Sequence, residues 1–103
     1  MNIKTSLVEI TWLEGMPHGY GCGYIGIPPE HPWFNKTGEE IQELISVHGG
    51  VTWCASYAPR QKFDGYKWIG FDTAHVGDDE FNCNKSFCER EIESMKQQAL
   101  DAV

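Results

Sequence analysis

The sequence predicts an α+β domain, with a small antiparallel sheet of about four strands and a C-terminal amphipathic helix packed on one face. Short runs of β-branched, aromatic or alternating residues recur between clusters of glycine and proline, which is typical of strands joined by loops. The final segment instead places apolar residues at helical spacing. A chain of 103 residues has room for one hydrophobic core, so we expect a single domain over residues 1–103.

The first two strands are predicted from different patterns. Ser6 to Leu13 (SLVEITWL) places Val8, Ile10 and Trp12 on one side, which indicates a half-buried strand. Tyr20 to Ile27 (YGCGYIGI) alternates glycine with larger residues, so one face of that strand is bare backbone. Bare backbone favours the close approach of a neighbouring strand, and an aromatic ring or a ligand is the alternative.

A proline-rich loop and a short helix follow. Pro28 to Phe34 (PPEHPWF) contains three prolines, which exclude a helix interior and a central strand. Its two aromatic residues either pin the loop to the core or stand at the mouth of a pocket. Thr37 and Glu40 have the spacing of a capping box, which predicts a helix from about Gly38 to Ile45.

Two further strands precede a long loop. Val47 to Tyr57 alternates apolar and polar residues, and Tyr66 to Phe71 is again strand-like, so the two predict a hairpin with a long connection. Asp72 to Asn84 has no periodicity. A loop of about a dozen residues is uncommon in a small domain unless it carries function.

The final helix is predicted from its cap and its apolar face. Asn84 or Ser86 can cap it, and the charged residues that follow lie on the opposite face. The residues that recur at helical spacing on the apolar face are Cys88, Ile92, Met95 and Ala99.

The charge excludes one class of partner. Eight Lys and Arg stand against 15 Asp and Glu, for a net charge of −7, and no basic run occurs. Direct binding to nucleic acid needs clustered basic residues and is therefore not expected. The acidic surface is interpreted as an aid to solubility, with mimicry of a phosphate array as the alternative.

No secretory signal and no apolar run of membrane-spanning length is visible, so we expect a cytosolic protein that does not bind membranes. In that compartment cysteines remain reduced. The four cysteines form no CxxC pair, and they are expected to be free thiols whose simplest role is in the core: Cys22, Cys54, Cys83 and Cys88.

Two polar stretches suggest a site. Val47 to Trp53 (VHGGVTW) and Tyr66 to Asp79 (YKWIGFDTAHVGDD) each place histidine beside glycine or carboxylates at a strand end. Backbone N–H groups of a glycine pair can bind an anion, tryptophan rings can stack a base, and carboxylates can accept ribose hydroxyls. The predicted ligand-binding residues are His48, Gly49, Gly50, Trp53, Trp68, Asp72, His75 and Asp78.

A divalent metal is the alternative ligand. His48, Asp72, His75 and Asp78 are the right residue types, although their spacing matches no signature such as HExxH. Two simpler interpretations stay open: the histidines satisfy loop carbonyls or carboxylates, and the tryptophans belong to the core.

The chain resembles a family of small uncharacterised proteins of tailed phages and prophages. HPWF, VHGGVTW, WIGFDTAHVGD and the closing helix occur here in the order of that family, whose pattern is GYxGxPxxHP, VHGG(L/I/V)T and GFDxAHxGD. The resemblance covers most of the chain from Gly23 onward. The matching residues are His31, Pro32, His48, Gly49, Gly50, Thr52, Gly70, Phe71, Asp72, Ala74, His75, Gly77 and Asp78.

The resemblance implies a phage origin and a place in the host cytoplasm. The leading hypothesis is a phage-encoded accessory protein that binds a nucleotide-like molecule or a host defence protein without turnover and without a cofactor. One alternative is a small metal-dependent hydrolase using the four His and Asp residues, and another is an acidic module that blocks a host nucleic-acid-binding effector. Small binders often assemble to complete a pocket, so a homo-oligomer is also expected.

Overall fold

Four antiparallel strands form one sheet in the computed structural model, which describes residues 1–103. The strand order is β1-β2-β4-β3, and two helices complete the fold. This confirms the predicted α+β class. The elements in chain order are β1 (Lys4–Glu9), β2 (Gly21–Ile27), α1 (Gly38–Leu44), β3 (Trp53–Ala55), β4 (Lys67–Phe71) and α2 (Lys85–Asp101).

One face of the sheet is covered by α2, as predicted. Ile25 pairs with Ile69, and Gly23 pairs with Phe71, so these residues share the face toward the helix. The four predicted apolar positions of α2 are all buried. The principal core on this face contains Ile3, Ile25, Ile27, Trp33, Ile41, Ile45, Ile69, Phe71, Cys88, Ile92, Met95 and Ala99.

The opposite face carries a second, more aromatic cluster. Tyr24 pairs with Gly70, and Gly70 pairs with Trp53, so these three residues point to the side away from α2. Trp68 lies on the same side and is fully buried. Strand β2 is therefore covered on both faces, and all seven of its residues are buried.

The glycines of β2 make room for side chains of the protein's own core. A Cβ on Gly23 would lie 2.5 Å from the Phe71 ring and 2.6 Å from Ile92. A Cβ on Gly26 would lie 2.8 Å from the Trp68 ring. The space beside the glycines of this strand is thus filled by two aromatic rings and by a side chain of α2, which leaves no space there for a ligand.

Two strand predictions need correction. The first strand was expected at Ser6 to Leu13 but ends at Glu9, and Trp12 is 52% exposed. Pairing with β2 stops after Ile10, which donates to the Tyr20 carbonyl, and the chain then turns away from the sheet. The third strand was expected within Val47 to Tyr57 but spans only three residues. Positive φ angles of 69° and 83° at the glycine pair exclude extended backbone at the predicted start, and the chain bends at Ser56 directly after Ala55.

The helix caps follow the sequence signals. The Thr37 hydroxyl accepts from the Glu40 N–H, and the Glu40 carboxylate accepts from the Thr37 N–H, which completes the capping box of α1. Asn84, and not Ser86, caps α2. Neither helix is long and apolar enough to cross a membrane.

The proline-rich loop is pinned to the core, one of its two predicted roles. Trp33 is buried there, and the buried ring of His31 bonds through Nε2 to the Ala99 carbonyl at 2.7 Å. The Trp33 N–H donates to Nδ1 of His31. This histidine therefore links the loop to the end of α2.

Candidate functional site

The four predicted His and Asp residues come together on one side of the molecule. His48 Nε2 lies 2.9 Å from Asp78 Oδ1, and His75 Nδ1 lies 3.1 Å from Asp78 Oδ2. His75 Nε2 faces Asp72 Oδ1 at 3.4 Å. We call these four residues the His/Asp cluster. Asp78 is its centre, because each of its carboxylate oxygens faces a different imidazole.

Local hydrogen bonds give the loop after β4 its shape. Asp72 Oδ1 accepts from the Ala74 N–H, which turns the chain directly after the strand. The Asp78 N–H donates to the His75 carbonyl, and Asp78 Oδ2 accepts from the His75 N–H. The three-residue spacing of Asp72, His75 and Asp78 thus produces two successive turns that bring the side chains to the same side.

Thr73 ties this loop to the entrance of β2. Its fully buried hydroxyl donates to the Gly21 carbonyl at 2.7 Å and accepts from the Gly21 N–H at 3.2 Å. Its carbonyl accepts from the Gly19 N–H, and the Cys83 carbonyl accepts from the Tyr20 N–H. The loop is anchored at both ends, so its side chains are held in defined positions.

Gly49 positions His75, whereas contacts with α2 position His48. A Cβ on Gly49 would lie 2.3 Å from Cε1 of His75, so the imidazole packs directly on that glycine. The Gly50 N–H donates to the Val47 carbonyl and is not free for an anion, the role predicted for it. The His48 N–H donates to Glu91 Oε1 of α2, and its ring packs edge-on to Phe87.

Cys83 joins the cluster, which the sequence did not indicate. Its Sγ lies 3.6 Å from Asp78 Oδ1 and 3.8 Å from His48 Nε2. These three side chains offer ligand atoms that all lie within 4.8 Å of one another. Cys83 lies in the same loop as Asp78, but its contact with His48 joins residues 35 positions apart, and for this contact the sequence contains no local signal.

Burial and charge set the protonation of Asp78 and Cys83. Burial acts to raise the pKa of Asp78, but hydrogen bonds from the His75 N–H and from both imidazoles outweigh it and hold that pKa below its usual range. Burial, the charge of Asp78 and the hydrogen bond to it raise the pKa of Cys83 to about 11. Asp78 is therefore a carboxylate at neutral pH, and Cys83 is a thiol rather than a nucleophilic thiolate.

The two predicted tryptophans lie elsewhere. Trp53 and Trp68 are on the face of the sheet away from α2, whereas His48 contacts α2. Trp68 is 2% exposed and donates through Nε1 to Asp64. The Trp53 ring packs edge-on to Tyr24. A base stacked on these rings would be separated from the His/Asp cluster by the sheet.

The principal surface cavities do not include the cluster. Their linings contain none of its four residues. The arrangement around Asp78 has donor atoms close enough to share one ion, and none of the principal cavities that could take a nucleotide is lined by these residues.

Comparisons with protein-family models, with curated proteins and with solved structures gave no match for this chain. Its function is therefore inferred from the geometry of the cluster.

Proposed function

We propose that this protein is a small hydrolase that holds one divalent metal ion at the His/Asp cluster. One observation carries the proposal: a buried carboxylate, with a side chain 7% exposed, lies between two imidazoles at 2.9 and 3.1 Å. Imidazole and carboxylate are common ligands of catalytic divalent ions. An ion at this position would replace the direct contact between His48 Nε2 and Asp78 Oδ1.

Any divalent ion at the cluster would be bound by His48 and Asp78. His48 offers Nε2, and its place is maintained by the bond to Glu91 and the contact with Phe87. Asp78 offers Oδ1 while its Oδ2 stays bonded to His75. A hydrogen-bonded second oxygen orients a carboxylate ligand and tunes its basicity. The ion supplies a Lewis acid that polarises the bond to be cleaved.

His75 is suited to proton transfer. Its Nδ1–H donates to Asp78, which leaves Nε2 as the free nitrogen, and its side chain is partly exposed. In the proposed reaction a water oxygen adds to an acyl carbon while Nε2 takes the water proton. The same proton passes to the leaving oxygen or nitrogen as the acyl bond breaks, and the Asp72 carboxylate at 3.4 Å stabilises the intervening imidazolium.

Electrostatics favour a carboxylic ester or amide as the substrate over a phosphoester. The carboxylates of the cluster are paired with histidines, and no Lys or Arg forms an ion pair with them. Phosphoryl groups are normally bound by Arg or Lys, and the net charge of −7 repels them further. An uncharged or cationic acyl substrate meets neither obstacle.

The test is metal-dependent ester hydrolysis. Metal-free protein is titrated with Zn²⁺, Mn²⁺ or Mg²⁺ and supplied with p-nitrophenyl acetate or with bis(p-nitrophenyl) phosphate. We expect cleavage of the carboxylic ester p-nitrophenyl acetate rather than the phosphodiester, and only in the presence of metal. This activity should be lost in His48→Ala and in Asp78→Ala. His75→Gln should still bind the metal but should cleave the ester more slowly. His18→Ala, a half-buried histidine that bonds to the Gly19 carbonyl, is the matched control. Cleavage that is independent of metal, or that survives His48→Ala, contradicts the proposal.

The binding function expected from the sequence is the second candidate, and one surface favours a protein over a nucleotide as the ligand. Met16 is 64% exposed and Phe81 is 92% exposed, and both line a groove that also contains Asp79 and Glu80. Exposed apolar side chains with an acidic rim suit a basic protein surface. A counter-defence role, a phage origin, a place in the host cytoplasm and a homo-oligomer stay predictions.

Native mass spectrometry of the protein isolated from its host distinguishes these candidates. A bound protein that is lost in Phe81→Ser supports the groove, and an intact small molecule released by denaturation supports the nucleotide-like ligand. Stoichiometric metal with neither of them supports the hydrolase.

A further inference from the structure

We propose that Cys83 is the third ligand of the ion and that the ion therefore belongs to the zinc class. This inference rests on the proposed function only for the place of the ion, not for catalysis. The ligand set is His48 Nε2, Asp78 Oδ1 and Cys83 Sγ, the one group of three such side chains in the chain whose donor atoms lie within 4.8 Å of one another.

The distances between the donor atoms fit a tetrahedral ion. With bonds of about 2.3 Å to sulfur, about 2.05 Å to nitrogen and about 2.1 Å to oxygen, a tetrahedral ion separates sulfur from the other two donors by about 3.6 Å each, and nitrogen from oxygen by about 3.4 Å. The observed separations are 3.8 Å for Sγ to Nε2, 3.6 Å for Sγ to Oδ1 and 2.9 Å for Nε2 to Oδ1. Only the distance between His48 Nε2 and Asp78 Oδ1 has to increase, by about half an ångström.

The three ligands are held in place by bonds that an ion does not disturb. The Cys83 N–H donates to the Asp79 carbonyl, and its own carbonyl accepts from the Tyr20 N–H. Oδ2 of Asp78 keeps its two bonds to His75. The backbone of His48 is bonded to Glu91. Ligands positioned by their own supports lose little freedom when the ion binds.

Cys83 differs from the other three cysteines in its surroundings. Cys88 belongs to the principal core, where its Sγ faces the Gly21 carbonyl at 3.9 Å. Cys22 lies in the second core, and Cys54 is exposed on the edge strand β3. Among the thiols only Cys83 has an imidazole and a carboxylate as neighbours, so the other three provide natural controls.

Sulfur ligation determines the class of metal. A thiolate selects Zn²⁺ and similar ions such as Co²⁺ or Cd²⁺, whereas Mg²⁺ and Ca²⁺ prefer oxygen ligands alone. On binding, the Cys83 S–H bond breaks, its proton passes to the solvent and the sulfur electron pair forms the bond to the ion. The hydrogen on His48 Nε2 moves to Nδ1, so one proton is released in all. No electrons are transferred.

Three protein ligands leave one position of a tetrahedral ion open. Cys83 and Asp78 are buried, whereas the side chain of His48 is 27% exposed, so the ion exchanges with solvent along the His48 side. Three ligands with an open position are typical of catalytic zinc sites, and four ligands are typical of structural ones. The site is thus compatible with the hydrolysis proposed above, but its existence does not depend on it.

The test is a titration of the metal-free protein with Co²⁺, followed by absorption spectroscopy. We expect one equivalent of Co²⁺ to give a thiolate-to-cobalt charge-transfer band, which Zn²⁺ abolishes and which excess Mg²⁺ leaves unchanged. Cys83→Ser should lose the band and bind Zn²⁺ more weakly by more than about tenfold, while Cys54→Ser should retain both. Circular dichroism is used to check that each variant is folded. His48→Ala provides a second variant that lacks a ligand but keeps the thiol.

The possible outcomes separate the two proposals. A band that persists in Cys83→Ser, or equal binding of Zn²⁺ and Mg²⁺, overturns the inference. Binding of Co²⁺ with the band but without ester hydrolysis supports the zinc-class site and refutes the hydrolase. Hydrolysis that Mg²⁺ supports, in a protein that gives no charge-transfer band with Co²⁺, supports the hydrolase and refutes the zinc-class site. If Cys83→Ser does not fold, loss of the band in His48→Ala supports the site, and an unchanged band in His48→Ala overturns it.

Discussion

The imidazole of His75 lies on the backbone of Gly49, so close that a Cβ at position 49 would come within 2.3 Å of Cε1. Gly49 also has a φ angle of +69°, a conformation that other residues adopt only with strain. The contact joins the two polar stretches of the sequence. It places the loop before β3 against the loop after β4.

Replacement of Gly49 by alanine should disturb this contact. We expect Gly49→Ala to lower the free energy of unfolding by about 2 to 4 kcal/mol, because the strained backbone and the collision with His75 add together. Gly15→Ala is the matched control, since Gly15 has a φ angle of +76° and nothing within 4 Å of its added Cβ. Gly15→Ala should lower the free energy of unfolding by only about 1 kcal/mol. Urea unfolding measures both, and equal losses would show that the ring contact is unimportant.

Asp78 should contribute to stability in a pH-dependent way. Its pKa is lowered in the folded state, so its contribution is present above the unfolded value of about 3.9 and is lost as the pH falls through the lower folded value. Asp78→Asn should therefore be less stable than the wild type by about 1 to 3 kcal/mol at neutral pH, with a difference that shrinks in acid below about pH 4. Unfolding curves of both proteins from neutral pH to about pH 2 measure this, and a difference that does not change with pH would contradict the assignment.

Thr73 should anchor the loop through its hydroxyl. Thr73→Val keeps the shape of the side chain but leaves the N–H and the carbonyl of Gly21 without this partner, which should cost about 1 to 3 kcal/mol. Thr5→Val, at an exposed position on β1, should change stability by less than about 0.5 kcal/mol. Amide hydrogen exchange at Gly19 and Tyr20 should accelerate only in Thr73→Val. Unchanged exchange there would mean that the loop is held by other contacts.

His31 should be structural, in contrast to His48 and His75. Trp33 donates to its Nδ1, so its Nε2–H donates to Ala99, and both bonds are buried. His31→Leu should lower the free energy of unfolding by about 2 to 4 kcal/mol because both partners lose their hydrogen bond. Titration of this variant with Co²⁺ should give an unchanged band. A lost band in a folded variant would indicate that His31 acts on the site.

The cysteines should react with thiol reagents in a defined order. Cys54 is exposed and should be alkylated first, whereas Cys83 is buried and its pKa is raised to about 11, so little of it is thiolate at neutral pH. Peptide mapping after brief treatment with iodoacetamide should find label on Cys54 alone. Rapid labelling of Cys83 in the folded protein would show that the loop opens.

Local patterns in the sequence were sufficient to predict the fold class. The capping box of Thr37 and Glu40 and the apolar spacing of α2 act over one or two helical turns, so the residues that decide them are neighbours in the chain. The polar loop after β4 was also visible, because the spacing of Asp72, His75 and Asp78 by three residues produces local turns.

Only the tertiary structure decided which residues share the site. Alternation predicts that Trp53 and Ala55 share a face, but the direction of that face depends on the pairing with β4, and it points away from α2. Cys83 lies in the same loop as Asp78, but its contact with His48, 35 positions earlier, is made where the loop after β4 packs against Gly49. The sequence by itself determined the type and order of the elements, but not the ends of β1 and β3, and it determined the loop that carries polar chemistry. The composition of the site was decided by contacts between distant segments, whose energies depend on the packing of the whole core and not on any local pattern.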